Sequence, residues 1–274
     1  MTLPLINGRR YGYQKAKPDH RAFGLASVPG LKLAPLPSSD LHLSQFMQPV
    51  KDQGQLGACT AFCGAGDREA IAAQYEGKII TLSPLFLYYV EREIDGTLNG
   101  GDCGSTGRTS CQAINSYGIC PEPEDVYDIN NYMVEPTPNQ IADAIPYKAG
   151  AYHSLFTLED IKTCIISGYR VRVGMNVYQS FEDTGSDGLV AVPDPSSEML
   201  LGGHEVLAWG YDDAVVCPGS ALGGAVRFRN SWGQDWGLGG DFWLSYDALM
   251  GNALQADFKI QHLGGPWKPL AMSA

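Results

Sequence analysis

The strongest constraint on this chain is the order of its patterns, with helix-forming segments in the first half and strand-forming segments in the second. From residue 57, Ala58, Ala61, Phe62, Ala65, Glu69, Ala72 and Ala73 are good helix formers with a small apolar face, and Gly77 marks a stop. Ser83-Pro84 reads as an N-cap followed by proline at the first helical position, opening a helix over 85–94. A third helix is expected over 106–117, ending at Gly118. Pro121, Pro123, Pro136, Pro138 and Pro146 then mark an irregular stretch, with one short helix near 139–145. Thr157-Leu158-Glu159-Asp160 opens a further helix, after which strands are expected at 170–177, 204–211, 225–230, 240–245 and 257–262. Helices first and strands after predict an α+β protein with two unlike lobes.

The 274 residues suffice for one large domain or two lobes on a common cleft. Net charge is −11, and no Lys/Arg cluster accompanies a nucleic-acid motif, so no nucleic-acid partner is expected. No apolar run approaches the roughly 20 residues of a membrane span, and no secretory signal is visible, so localisation stays open. Residues 1–36 carry Arg9, Arg10, Lys15, Lys17, Arg21 and Lys32 against Asp19 alone. This basic N-terminal arm, 1–35, either docks electrostatically on the acidic body or remains a solvated tail. The seven cysteines are odd in number. One reserved as a reactive thiol leaves six, which either pair as disulfides or stay free. Cys59 and Cys63 at i, i+4 lack a matching Cys/His pair, so no metal site is expected.

The chemistry-bearing stretch is Gln53-Gly54-Gln55-Leu56-Gly57-Ala58-Cys59-Thr60-Ala61-Phe62. It places a cysteine at the start of a predicted helix, where unpaired N–H groups and the helix dipole favour a thiolate. Alone, such a cysteine reads equally as a small buried hydrophobe. Gly202-Gly203-His204-Glu205 places a histidine near the start of a predicted strand, and Arg229-Asn230-Ser231-Trp232-Gly233-Gln234-Asp235-Trp236-Gly237 places an asparagine just after another. An Asn carbonyl can accept the imidazole N–H and fix its tautomer, while a tryptophan alongside excludes water.

Together these stretches resemble the papain/cathepsin family of cysteine peptidases, in family order, with His204 at 145 and Asn230 at 171 residues after Cys59. The resemblance covers about residues 36–262. It implies a papain-like two-lobe α+β fold: a mainly helical lobe over 36–148, a β-barrel-like antiparallel lobe over 149–274, and an active-site cleft between them. It implies Cys59 as nucleophile, His204 as acid/base, Asn230 as its orienter, and Gln53 with the Cys59 backbone N–H as the oxyanion donors. Trp232 is expected over the His–Asn pair, and Gly57, Gly104, Ser105 and Gly203 beside an extended peptide substrate. No metal or organic cofactor is implied, and the expected partners are peptide or protein substrates. Acyl transfer to an amine and a catalytically idle peptide-binding module are the alternative readings.

The chain departs from the family pattern in places. Leu56 stands where many members have a disulfide cysteine, and Thr60 replaces an aromatic residue, both in the manner of bacterial members. Glu205 follows His204 where a small residue is commoner. It either favours Lys or Arg in a substrate pocket or turns into a salt bridge. The long helical pro-region of many members is missing, so the basic arm is expected to inhibit by covering the cleft. A surface loop is expected at 215–224.

Overall fold

The helix that Cys59 opens begins where the sequence predicts and is rich in small residues. In the computed structural model, which describes residues 2–17, 35–149, 152–155, 157–251 and the backbone of 259–264, α1 spans Cys59–Glu76. Ala61, Ala65, Ala70 and Ala72 are all buried, so neighbours close in on the helix from several sides. Gly77 ends it in the left-handed region (φ 63), its N–H donating to the Ala72 carbonyl. In α2 (Pro84–Ile94) the Ser83 hydroxyl accepts the Phe86 N–H at 3.0 Å. Thr106 likewise caps α3 (Gly107–Ser116), and Thr137 and Thr157 build capping boxes on α4 (Pro138–Ala144) and α5 (Leu158–Ile166). Two short helices, α6 (Gln179–Glu182) and α7 (Tyr246–Met250), were not expected.

The strands are β1 (Tyr13–Gln14), β2 (Ser39–Asp40), β3 (Ser105–Thr106), β4 (Tyr152–His153), β5 (Val171–Tyr178), β6 (Leu200–Asp212), β7 (Ala225–Arg229), β8 (Asp241–Ser245) and β9 (Lys259–Gly264). Positions 257 and 258 of the last expected strand lie outside the described residues. One antiparallel sheet runs β4-β9-β5-β6-β7-β8, with β2 added to β6. Its end strands, β4 and β8, do not pair with each other, so the lobe is an open sheet among the described residues.

Two hydrophobic clusters match two unlike lobes. Leu56, Phe62, Phe86, Leu87 and Ile119 fill the helical one, and Val173, Val206, Phe228, Phe242 and Leu244 fill the β one. β2 pairs with β6 and Leu43 is buried in the β core, so the segment before α1 starts on the β lobe and then crosses. At the crossing, the Lys51 ammonium reaches Glu69 (2.7 Å), Glu122 (3.0 Å) and the Leu82 carbonyl (2.8 Å) in the helical lobe. The Gln53 N–H donates to the Ser231 carbonyl of the β lobe at 2.9 Å. The 215–224 stretch is a loop, as expected, although Cys217 within it is buried. All seven cysteines are free thiols and buried.

Ser83→Ala is expected to lower stability by about 1–2 kcal/mol, since the same hydroxyl also donates to Asp125 at 3.0 Å. Urea denaturation followed by circular dichroism checks this.

Candidate active site

Cys59 is the first residue of α1, and His204 lies on β6 opposite Met175 of β5. Asn230 follows the last residue of β7, its N–H held by the Gly240 carbonyl at 2.9 Å. Its side-chain Oδ1 accepts from the Ser231 N–H at 2.8 Å and from His204 Nε2 at 2.7 Å. A carbonyl oxygen can only accept, so Nε2 carries the proton. Nδ1 is then the basic atom of the neutral ring, and it has no hydrogen-bond partner among the described residues. The Trp232 indole covers the imidazole with centroids 4.9 Å apart and planes 31° apart. Glu205, the residue after His204, and Thr60, the residue after Cys59, share one partner, Arg172, at the junction of the lobes.

Gln53 is buried beside them. Its Oε1 accepts the Ser231 hydroxyl at 2.6 Å and its amide donates one hydrogen to the Leu56 carbonyl at 2.9 Å. The amide's orientation is thereby set from both sides. Asp102, which the sequence reading passed over, holds the loop before Cys59 by accepting the Gly57 N–H at 3.0 Å and the Tyr88 hydroxyl at 2.5 Å.

The cleft is filled by the chain's own N-terminal arm. β1 pairs in parallel with β3, Gly12 bridges to Gly203, and the Ser105 N–H donates to the Gly12 carbonyl at 2.9 Å. The backbone contact is as close as geometry permits: a Cβ on Gly12 would lie 1.7 Å from the Gly57 carbonyl oxygen, and one on Gly104 would lie 1.8 Å from the Gly12 oxygen. Gly57, Gly104, Ser105 and Gly203 thus flank an extended segment, which here is the arm. The Ser105 hydroxyl turns away to Asp95 at 2.7 Å. Arg21 and Lys32 of the arm lie outside the described residues, but Arg9 stacks on Trp232 at 4.2 Å and Arg10 meets Asp102 at 3.6 Å. The arm is docked along its described length.

This covering sets the protonation state. Cys59 and His204 are fully buried. Burial pushes the thiol up to about 12, opposed by the Glu205 and Gly12 N–H groups at the sulfur. Burial pulls the imidazole down to about 4, opposed by the Asn230 hydrogen bond and reinforced by the charge of Arg9. Burial thus favours the uncharged thiol and the uncharged imidazole while the arm lies over them.

The Glu205 carboxylate accepts from Arg172 Nε at 2.7 Å with both side chains buried, so of the two readings the salt bridge holds. Arg172 also donates to the Thr60 carbonyl at 2.9 Å and to the Cys111 sulfur at 3.5 Å. The Thr60 hydroxyl in turn donates to buried Glu91 at 2.6 Å. Sequence reading missed Arg172 and Glu91, whose partners lie on other elements and leave no local spacing signal.

Residues 37–256 match the profile described as papain family cysteine protease. The chain belongs to the papain family of cysteine proteases. A peptidase C1-like protein of Acanthamoeba polyphaga mimivirus is 32% identical over 92% of this chain and 86% of its own length. Oryzain gamma chain of Oryza sativa subsp. japonica is 25% identical over 82% of this chain, which spans 57% of that relative. Among solved structures, xylellain, a cysteine protease from Xylella fastidiosa, superposes with a TM-score of 0.78 and 28% identity, covering 96% of this chain and 98% of that one. With that membership the chain is a cysteine peptidase, a hydrolase with the papain-like fold.

Arg172→Met strands Glu205 as a buried, unpaired charge and is expected to cost about 3–5 kcal/mol. Adding Glu205→Leu is expected to recover most of that loss. Urea midpoints of the single and double variants test the pairing.

Proposed function

We propose that this papain-family chain hydrolyses internal peptide bonds through a thioester on Cys59, and that its N-terminal arm holds it latent. The observation that carries the chemistry is the polarity of the ring. Nε2 is committed to Asn230 at 2.7 Å, which leaves Nδ1 as the base, and Arg172 ties the residue after His204 to the residue after Cys59.

Once the arm leaves, water reaches the cleft and the desolvation that keeps the pair neutral is relieved. The Cys59 proton passes to Nδ1 of His204, giving thiolate and imidazolium, with the α1 N-terminus favouring the anion. The thiolate attacks the substrate carbonyl carbon. The second Gln53 amide hydrogen and the Cys59 N–H receive the developing oxyanion, each such donor being worth on the order of 3 kcal/mol. Collapse of the tetrahedral adduct breaks the C–N bond, and the imidazolium gives its proton to the leaving amine. Water then attacks the thioester and gives a proton to His204. The acid departs, and the thiol and imidazole are restored. Asn230 keeps the ring in one tautomer throughout, while Trp232 shields that hydrogen bond from solvent.

Latency follows from how the arm sits in the cleft. Gly12 packs against Gly57, two residues before Cys59, and its carbonyl is tied to the Ser105 N–H, so the arm occupies the cleft as a blocker.

Cys59→Ala is expected to abolish hydrolysis of a fluorogenic peptide while leaving the thermal midpoint and far-ultraviolet dichroism close to those of the parent. Retained hydrolysis would remove the nucleophile assignment. Gly12→Ala forces a methyl into the Gly57 carbonyl, an overpacking cost of about 1–3 kcal/mol. It is expected to raise both peptide hydrolysis and alkylation of Cys59 by iodoacetamide about tenfold or more; unchanged rates would discard the latency mechanism.

A further inference from the structure

The two sides of the cleft are distinguishable by chemistry. The leaving amine must take its proton from His204, so residues after the scissile bond lie on the His204–Trp232 side. The acyl residues lie along β3, whose backbone pairs with an extended chain. On the His204 side the body presents Gln179, Glu182, Asp183, Trp232 and Trp236 around an open cavity of about 430 Å³. The charged side chains that the body contributes to this lining are both carboxylates.

The arm shows what this surface can hold. The Glu182 carboxylate accepts the Asn7 amide at 2.5 Å on one oxygen and the Tyr11 hydroxyl on the other. Its own backbone is fixed, because the Trp236 indole N–H donates to the Glu182 carbonyl at 3.3 Å. Beside it, the Arg9 guanidinium lies over the Trp232 ring at 4.2 Å. One short segment therefore fills an aromatic face with a planar cation and a carboxylate with neutral donors.

Resting on the peptidase reading above, we propose that Glu182 and Asp183, with the Trp232 face, form a leaving-group-side subsite selective for arginine or lysine. A substrate guanidinium does with one side chain what the arm does with several: it stacks on the indole and brings N–H donors and positive charge to the carboxylates. The subsite belongs to the substrate once the arm has been displaced. It selects chains by a basic residue shortly after the cleaved bond.

The test uses the full chain carrying Gly12→Ala, with Tyr11→Ala as a second arm-displaced background. Internally quenched peptides share one acyl side and carry Arg, Gln or Glu in the two positions after the scissile bond. A peptidyl-aminomethylcoumarin with the same acyl side reports hydrolysis without any residue on the leaving side. The Arg peptide is expected to exceed the Gln peptide about fivefold in kcat/KM, and the Glu peptide by more. The Arg/Gln ratio is expected to fall toward one at high salt and in Glu182→Gln/Asp183→Asn. Equal rates for the Arg and Glu peptides, with the coumarin substrate cleaved, would overturn the subsite alone. So would a preference undiminished in the double variant. Failure to cleave the coumarin substrate in either background would overturn the peptidase reading and this one with it.

Discussion

A single buried guanidinium joins the two halves of the active site. Arg172 projects from β5 to reach Glu205, next to His204 on β6, and the Thr60 carbonyl, next to Cys59 on α1. Cys59 and His204 come from different lobes, and one cation is shared by the residue after each. Its burial makes the link costly to break, since either partner left alone would keep an uncompensated charge away from water. The same pair shows Glu205 as the partner of a buried salt bridge.

The local parts of this fold were legible because their causes are local. Ser83-Pro84, Thr106 and Thr157 announce helices through one side-chain oxygen and the N–H groups three residues on. Gly77 announces a stop through its backbone freedom. The candidate catalytic positions were legible for another reason. Cys59, His204 and Asn230 each sit in a glycine- or tryptophan-marked stretch whose order and spacing match a known family.

The remainder depends on long-range pairing that leaves no periodic trace. β1 is two residues long and its partner lies about ninety positions away, so the arm read as either a docking element or a free tail until Gly12 was found against Gly57 and Gly104. Leu43 precedes α1 yet packs into the β lobe, because the chain crosses the molecule before α1 begins. Glu205 could be read two ways, since the residue facing its carboxylate depends on the register of β5 against β6. Glu182 was silent for a similar reason: its carboxylate has meaning only beside Trp232 and the arm.

The meeting of Gly12 with Gly57 and Gly104 has one further consequence. Where main chain touches main chain with no side chain between, the groove measures shape before identity. Whatever takes the arm's place must thread a naked stretch of backbone over the sulfur, and such a stretch is found in loosened loops, frayed ends and unfolded chains. A well-packed globular protein keeps its backbone out of reach. Selection at this point is therefore by conformation, and a target's susceptibility tracks how often it comes undone.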